Sequence, residues 1–162
     1  MKLDFRQKII DPKKISSVVA SLKEQGKRVV SLNGSFDLLH AGHLEILYEA
    51  KKQGDILVVA LNTDESIQVY KSKDRPIVPL NFRLQMMAAI EAVDLVTYFS
   101  ETTPIEILKK IHPHVHVNGA EYGANCIESE TVKELGAILH LVNRIPSLST
   151  SAIVKKIKSI CD

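Results

Sequence analysis

The chain has 162 residues, 45% of them hydrophobic and 25% charged, with a formal net charge of +2. That length suits one domain around one core, and no apolar run reaches the roughly 18–20 residues of a membrane span. So slight a basic bias is no electrostatic footprint for nucleic acid or for an anionic membrane.

In chain order, Met1 through Lys14 mixes charges with single hydrophobes and has no apolar stretch of the secretory kind. Pro12–Gln25 follows as an amphipathic helix, with Ile15, Val18, Val19 and Leu22 on one stripe and Gly26 to end it. Residues 1–27 are therefore expected as a helical extension packed on the rest. Arg28–Asn33 is the first strand, and Leu44–Gln53 the next helix, closing at Gly54. Asp55–Leu61 is the second strand. Asn81–Val93 is a helix, Leu95–Phe99 a strand, and Pro104–Ile111 a helix with Thr103 as its expected cap. His114–Asn118, Glu128–Leu135, Ala137–Val142 and Thr150–Ile160 complete the alternation as strand, helix, strand and helix. The strands are nearly continuous in apolar residues, as in sheets covered on both faces. The expected fold class is therefore α/β: a single Rossmann-like domain over residues 1–162, with a five-stranded parallel sheet flanked by helices. Cys126 and Cys161 stand far apart with no Cys-x-x-Cys pairing, which predicts free thiols in a reduced, cytoplasmic protein.

Open parallel sheets bind ligands beyond the carboxyl ends of their strands. The segment after the first strand is Asn33-Gly34-Ser35-Phe36-Asp37-Leu38-Leu39-His40-Ala41-Gly42-His43. It has neither the Gly-x-Gly-x-x-Gly of dinucleotide binders, which disfavours hydride transfer, nor a Gly-Lys-Ser/Thr ending. His40–His43 opens the next helix, so backbone N–H groups and the helix dipole favour an anion there. Gly42 has no Cβ to keep a phosphate away. His40 and His43, three residues apart, can share a face and donate to phosphate oxygens. Taken alone, the two rings read more readily as ordinary surface residues capping a helix.

The pattern Gly34-x-Phe-Asp-x-x-His-x-Gly-His43 resembles the nucleotide-binding signature of the cytidylyltransferase-like superfamily. Asp74-Arg-Pro-Ile-Val-Pro-Leu80, Glu91-Ala-Val-Asp94, Glu101-Thr-Thr-Pro104, Val117-Asn-Gly-Ala-Glu-Tyr122 and Ser149-Thr-Ser151 are similar to heptose 1-phosphate adenylyltransferases. The resemblance runs from about Ile10 to the C-terminus. It implies attack by a sugar phosphate oxygen on the α-phosphorus of a nucleoside triphosphate, with release of pyrophosphate and with Mg²⁺ bound to the triphosphate. The implied product is ADP-heptose, made from ATP and D-glycero-D-manno-heptose 1-phosphate supplied by a separate enzyme. A homodimer is plausible in this family.

The resemblance also implies roles. His40, His43 and Lys71 act on the transferred phosphate, with Lys71 favoured over Lys73. Asn33, Gly34, Ser35, Phe36, Gly42, Gly119, Glu121, Arg144, Ser149, Thr150 and Ser151 bind the nucleotide. Asp37, Asn62, Arg75 and Arg83 bind the acceptor. Ser149 and Thr150 can cap the last helix as well. Arg83 near a helix start opposes the dipole, so either a bound anion or a carboxylate partner is required to explain it. Arg144 precedes Ser149 by the interval of glycerol-phosphate cytidylyltransferases, which keeps CTP and a polyol phosphate open as the substrate pair. A nucleotide-binding regulatory module without turnover is the alternative of another class. Family members often have Val-Lys-Gly-Gly-Asp-Tyr where this chain has Asn118 and Glu121, which bears on the choice of nucleotide and acceptor.

His112, His114 and His116 alternate but have no Cys or carboxylate at ligand spacing, so no metal site is expected and strand-entry or surface positions are preferred. Lys155, Lys156 and Lys158 suit the end of a helix. Met86 and Met87 read as core or subunit contact.

Overall fold

The computed structural model describes residues 4–143 and 149–161. Five parallel strands, β1 (Val29–Gly34), β2 (Ile56–Asn62), β3 (Leu95–Phe99), β4 (Val115–Gly119) and β5 (Ile138–Val142), form one sheet in the order β3-β2-β1-β4-β5. Among the described residues seven α-helices accompany them: α1 (Ile15–Glu24), α2 (Ala41–Lys51), α3 (Asp64–Tyr70), α4 (Leu80–Ala88), α5 (Ile105–Ile111), α6 (Ser129–Glu134) and α7 (Thr150–Cys161). This is the Rossmann-like α/β fold expected from the alternation, and each expected strand boundary lies within one residue of the observed one.

Alternate side chains of each strand serve opposite faces. Val30 and Leu32 pack with Leu57, Val59, Val115 and Val117 beneath α2 and α4, which contribute Leu47, Ala50, Leu84 and Met87. Val29, Val58 and Ala60 face the other way, against Ile15 and Val19 of α1 and Ile107 and Ile111 of α5. Both faces are thus covered, which explains the apolar continuity of the strands. Gly26 and Gly136, with φ of +77° and +66°, turn the chain sharply after α1 and α6, where a side chain would be strained.

The N-terminal segment is fastened to the sheet edge. Ile10 N–H donates to Val96 O at 2.7 Å, and Ile9 bridges Val96 in parallel. A 3₁₀ turn over Phe5–Lys8 brings Lys8 Nζ to the carbonyl of Val93 at 2.7 Å. The free edge of β3 is covered in this way.

Four local expectations are corrected. The first helix begins at Ile15 rather than Pro12, because Asp11 holds a turn by accepting from Lys13 N–H at 2.7 Å and Lys14 N–H at 2.8 Å. The N-cap of α5 is Pro104 with no side-chain cap bond, so Thr103 does not cap it. Helix α4 ends at Ala88, short of Val93. Helix α3 fills what reads as a loop before Lys71: Thr63 Oγ1 accepts from Ser66 N–H, with Asp64 and Glu65 in the first turn. Thr-Asp-Glu is a helix-start signal that can be read from the sequence.

Candidate functional site

The strand order reverses direction between β1 and β4, so the loops leaving these two strands diverge and open a crevice. Two cavities lie there, of about 320 and 380 Å³. The first sits on the α2 side. Asn33, Gly34, Ser35 and Phe36 from the end of β1 form one wall, with His40, Gly42 and His43 from the start of α2. Gly119 and Glu121 close it after β4, and Ser149, Thr150 and Ser151 at the start of α7 complete it. The second cavity is lined by Asn62, Tyr70, Phe99, Pro104, Cys126 and Glu128, among others. Asn33, Gly34, Ser35 and Lys71 belong to both.

The two histidine rings stack with centroids 3.9 Å apart. His40 N–H donates to His43 Nδ1 at 3.3 Å. When neutral, His43 therefore carries its proton on Nε2, which makes that atom a donor toward a ligand. The capping reading and the phosphate reading are thus compatible for one ring. Lys71 Nζ donates to Ser35 Oγ at 2.9 Å, which places the ammonium on the wall that both cavities share. Tyr70, beside it, lines the second cavity, and its phenol is pushed up by burial, partly offset by a hydrogen bond with Ser35. Ser149 Oγ accepts from Ala152 N–H at 3.1 Å, capping α7 while also lining the first cavity.

The loop between β1 and α2 holds an unfavourable conformation. Phe36 and Leu38 both have φ of +46°, a region costly for bulky side chains. Such a loop persists only when its surroundings over-determine it, and here they do. Asp37, 1% exposed, accepts from Ile77 N–H and Val78 N–H at 2.9 Å each and pairs with Arg75 Nη2 at 2.8 Å. Thr150 Oγ1 donates to Asp37 O at 2.7 Å, fixing α7 to the same loop. Arg83, 1% exposed, donates to the carbonyls of Ser35 at 2.7 Å, Val78 at 2.9 Å and Asn62 at 2.9 Å, and pairs with Asp64 at 2.6 Å.

Asp37, Arg75 and Arg83 line neither cavity. Asp37 pairs with Arg75, and Arg83 has a carboxylate partner in Asp64 together with three backbone carbonyls. Asn62 lines the second cavity, yet its amide donates to Ser66 Oγ at 3.0 Å. Lys73 is exposed and lines neither cavity. Arg144 lies outside the described residues. Two residues missed in the sequence stand in the second cavity. Glu128, 4% exposed, accepts from Asn33 Nδ2 at 3.3 Å and from Asn118 Nδ2 at 3.2 Å. Asn118 reads in the sequence only as the loss of a lysine, and Glu128 only as a helix start. Nothing in their spacing signals the pair.

The alternating histidines behave differently from a surface strand. His116 is 1% exposed, with Nδ1 2.8 Å from Ser31 Oγ, and burial pushes its pKa down to about 4. His114 Nδ1 accepts from Val29 N–H at 2.9 Å, and burial, then Lys23 and Arg28, hold its pKa below the usual value. His112 sits after α5 with φ of +47°. The surface expectation is therefore corrected for His116, whose strand lies mid-sheet between β1 and β5.

Residues 31–159 match the cytidylyltransferase-like family model, which includes the ends of all five strands and both cavities. The chain belongs to the cytidylyltransferase-like family. That places it among the nucleotidyltransferases, the enzyme class expected from the Gly34–His43 signature. It is 40% identical over 152 residues to the bifunctional protein HldE of Nitratiruptor sp., an alignment covering 93% of this chain and 32% of that protein. With the bifunctional protein HldE of Azorhizobium caulinodans it shares 43% identity over 144 residues, covering 88% of this chain and 30% of that one. The chain thus spans about a third of the length of these curated relatives. Among solved structures, the lipopolysaccharide core biosynthesis protein of Thermoplasma volcanium superposes with a TM-score of 0.59 at 28% identity, over 74% of this chain and 98% of that one. The pantoate-beta-alanine ligase of Francisella tularensis gives 0.66 at 18% identity, over 91% and 72%, a likeness of fold. Among the described residues, no helix is long and apolar enough to cross a membrane.

Proposed function

We propose that the chain transfers AMP from ATP to a sugar 1-phosphate, D-glycero-D-manno-heptose 1-phosphate, giving ADP-heptose and pyrophosphate. The observation that carries this reading is the pair of adjoining cavities sharing the wall Asn33–Ser35 with Lys71. Transfer between two anionic substrates needs two compartments that meet at the reacting phosphorus. The bifunctional HldE relatives and the motif Asp74–Leu80 support the choice of sugar.

On this reading the triphosphate occupies the first cavity. His43 Nε2 donates to the α-phosphate oxygens, His40 stacks on it and fixes its ring, and Ser149 and Ser151 offer hydroxyls to the β- and γ-phosphates, while Thr150 ties the start of α7 to the loop through Asp37 O. The acceptor phosphate is already ionised near neutral pH and needs no general base. Catalysis is then alignment of the two substrates plus stabilisation of developing charge. Lys71, on the common wall, draws both phosphates together and offsets their mutual repulsion. Among the described residues no group of three or more His, Cys, Asp or Glu side chains could hold a metal ion. Mg²⁺ would accordingly arrive on the triphosphate, and when bound it neutralises charge on the pyrophosphate leaving group. The whole of residues 1–162 would form this one domain.

The test is mass spectrometry of products from ATP and from CTP, each with Mg²⁺ and a panel of sugar and polyol phosphates, alongside pyrophosphate release. ADP-heptose as the preferred product is expected. Turnover of CTP with glycerol 3-phosphate instead would move the chain to the cytidylyltransferase reading. Tight ATP binding without product from any acceptor would make it a regulatory module.

A further inference from the structure

The second cavity has a chemical polarity that goes beyond holding a phosphate. At the wall shared with the first cavity stands the ammonium of Lys71. Another part of the lining is the carboxylate of Glu128, which does not line the first cavity. Phe99, Pro104 and Ile127 add apolar surface to the same cavity. An anion is drawn toward Lys71 and repelled from Glu128, which favours one direction for a phosphorylated ligand.

Glu128 is 4% exposed, and among the described residues it has no ion pair. Its oxygens receive one neutral amide donor each, at 3.3 Å from Asn33 and 3.2 Å from Asn118, and the Cys126 thiol donates to the same carboxylate. A carboxylate has about four acceptor positions, so these three weak or long bonds leave room for a further donor. Burying such a group is costly unless further donors reach it. The same two amides come from the ends of β1 and β4, the two strands that flank the crevice, so they hold the carboxylate in place without neutralising it. Donors that carry no charge, come in closely spaced sets and are attached to a partly apolar body are the hydroxyl groups of a sugar or polyol.

We propose that Glu128 is the acceptor-selecting residue of this chain: its carboxylate accepts hydrogen bonds from hydroxyls of a polyhydroxylated phosphate whose phosphate group points to Lys71. This rests on the two-substrate reading above. The ring or chain carbons pack on Phe99 and Ile127, and Asn33 and Asn118 position Glu128 rather than contact the reacting atoms.

The experiment is steady-state kinetics of wild type and Glu128→Gln with heptose 1-phosphate, or with whichever panel phosphate turns over fastest, together with its monodeoxy derivatives. Hydrogen bonds to a charged group are the stronger ones. The acceptor KM is therefore expected to rise roughly 10- to 100-fold in Glu128→Gln, with the KM for the nucleotide within about twofold and the melting temperature nearly unchanged. At least one deoxy derivative should lose about tenfold in kcat/KM with wild type and little further with Glu128→Gln, since both changes delete the same bond. An unchanged acceptor KM overturns the proposal while leaving the reaction intact. Parallel rises in both KM values with a lowered melting temperature overturn it too, as the mark of a purely structural carboxylate. If Glu128→Gln does not fold, the wild-type series decides: no deoxy derivative losing tenfold sinks it. Absence of any product from wild type with all acceptors defeats the reaction reading itself, and the role of Glu128 falls with it.

Discussion

The segments Asn33–His43 and His112–His116 both carry histidines at short spacing, and the fold assigns them opposite chemistry. In the first, the rings stand at the start of α2, beyond the carboxyl end of β1, stacked on each other and lining a cavity. In the second, they lead into and lie within β4, a strand flanked on both sides. There His116 is a core residue hydrogen-bonded to Ser31, and its Nε2 has no partner among the described residues. What separates the two is position relative to the strand's ends. A side chain in mid-sheet meets packed neighbours, whereas one in the loop after the strand meets the crevice. Residue type and spacing alone do not distinguish them.

The comparison can be broken in order of effect. Arg83 bears on it most heavily, because it joins the loop carboxyl-terminal to β1 to α3 and the segment before α4. Arg83→Met should destabilise the fold by about 3–5 kcal/mol, since Asp64 and three carbonyls lose their partner. Urea unfolding measures this, and a change under 1 kcal/mol would mean the loop does not depend on that latch. Next, His43→Ala should lower kcat about 10²- to 10³-fold, the size of losing one transition-state donor, while stability falls by only about 1 kcal/mol through the lost contact with His40 N–H. A variant that keeps wild-type turnover would place His43 with His116 as structural.

His116 tests the other side. Its ring stays neutral in the fold down to about pH 4, whereas in the unfolded chain it protonates near the ordinary value of 6.5. Between these values the unfolded state binds more protons, so stability falls as pH drops from about 6.5 toward 4, and the contribution is complete above 6.5. The slope from this group is at most about 1.4 kcal/mol per pH unit. His116→Leu should lose that slope, read by unfolding at several pH values. A wild-type curve no steeper than that of the variant refutes the buried assignment. The smallest effect belongs to His112, exposed and with φ of +47° after α5. His112→Gly should raise stability by about 0.5–1 kcal/mol, since glycine occupies that conformation without penalty. The side-chain contact with Lys23 Nζ at 3.0 Å would be lost and should reduce the gain only slightly, because that contact is exposed.

Much of the fold is legible in the chain because periodicity is local. The apolar runs at Val29–Leu32 and Leu57–Leu61 can only be strands buried on both faces, and their alternation with amphipathic stretches leaves few topologies open. The order of motifs along the chain also assigns His40, His43 and Lys71 to segments that follow strand ends. What stays hidden is the partner of each polar side chain. Asp37 and Arg75 look like substrate contacts, yet they are spent on each other and on Ile77 and Val78, forty residues downstream. Helix α3 is hidden for another reason: Ile67 is its one buried apolar side chain, so it shows no apolar stripe, and only its Thr63 cap betrays it.

The sequence by itself therefore determined the layered α/β architecture, the family and the strand end that opens on the crevice, because these follow from backbone periodicity and a contiguous motif. Only the tertiary structure decided which charges face the crevice and which are buried as scaffold. It set Arg83 beneath the loop, His116 inside the sheet and Glu128 between Asn33 and Asn118. Those outcomes depend on which residues, 19 to 95 positions apart, the crossovers bring within hydrogen-bond reach, and no local pattern encodes that distance.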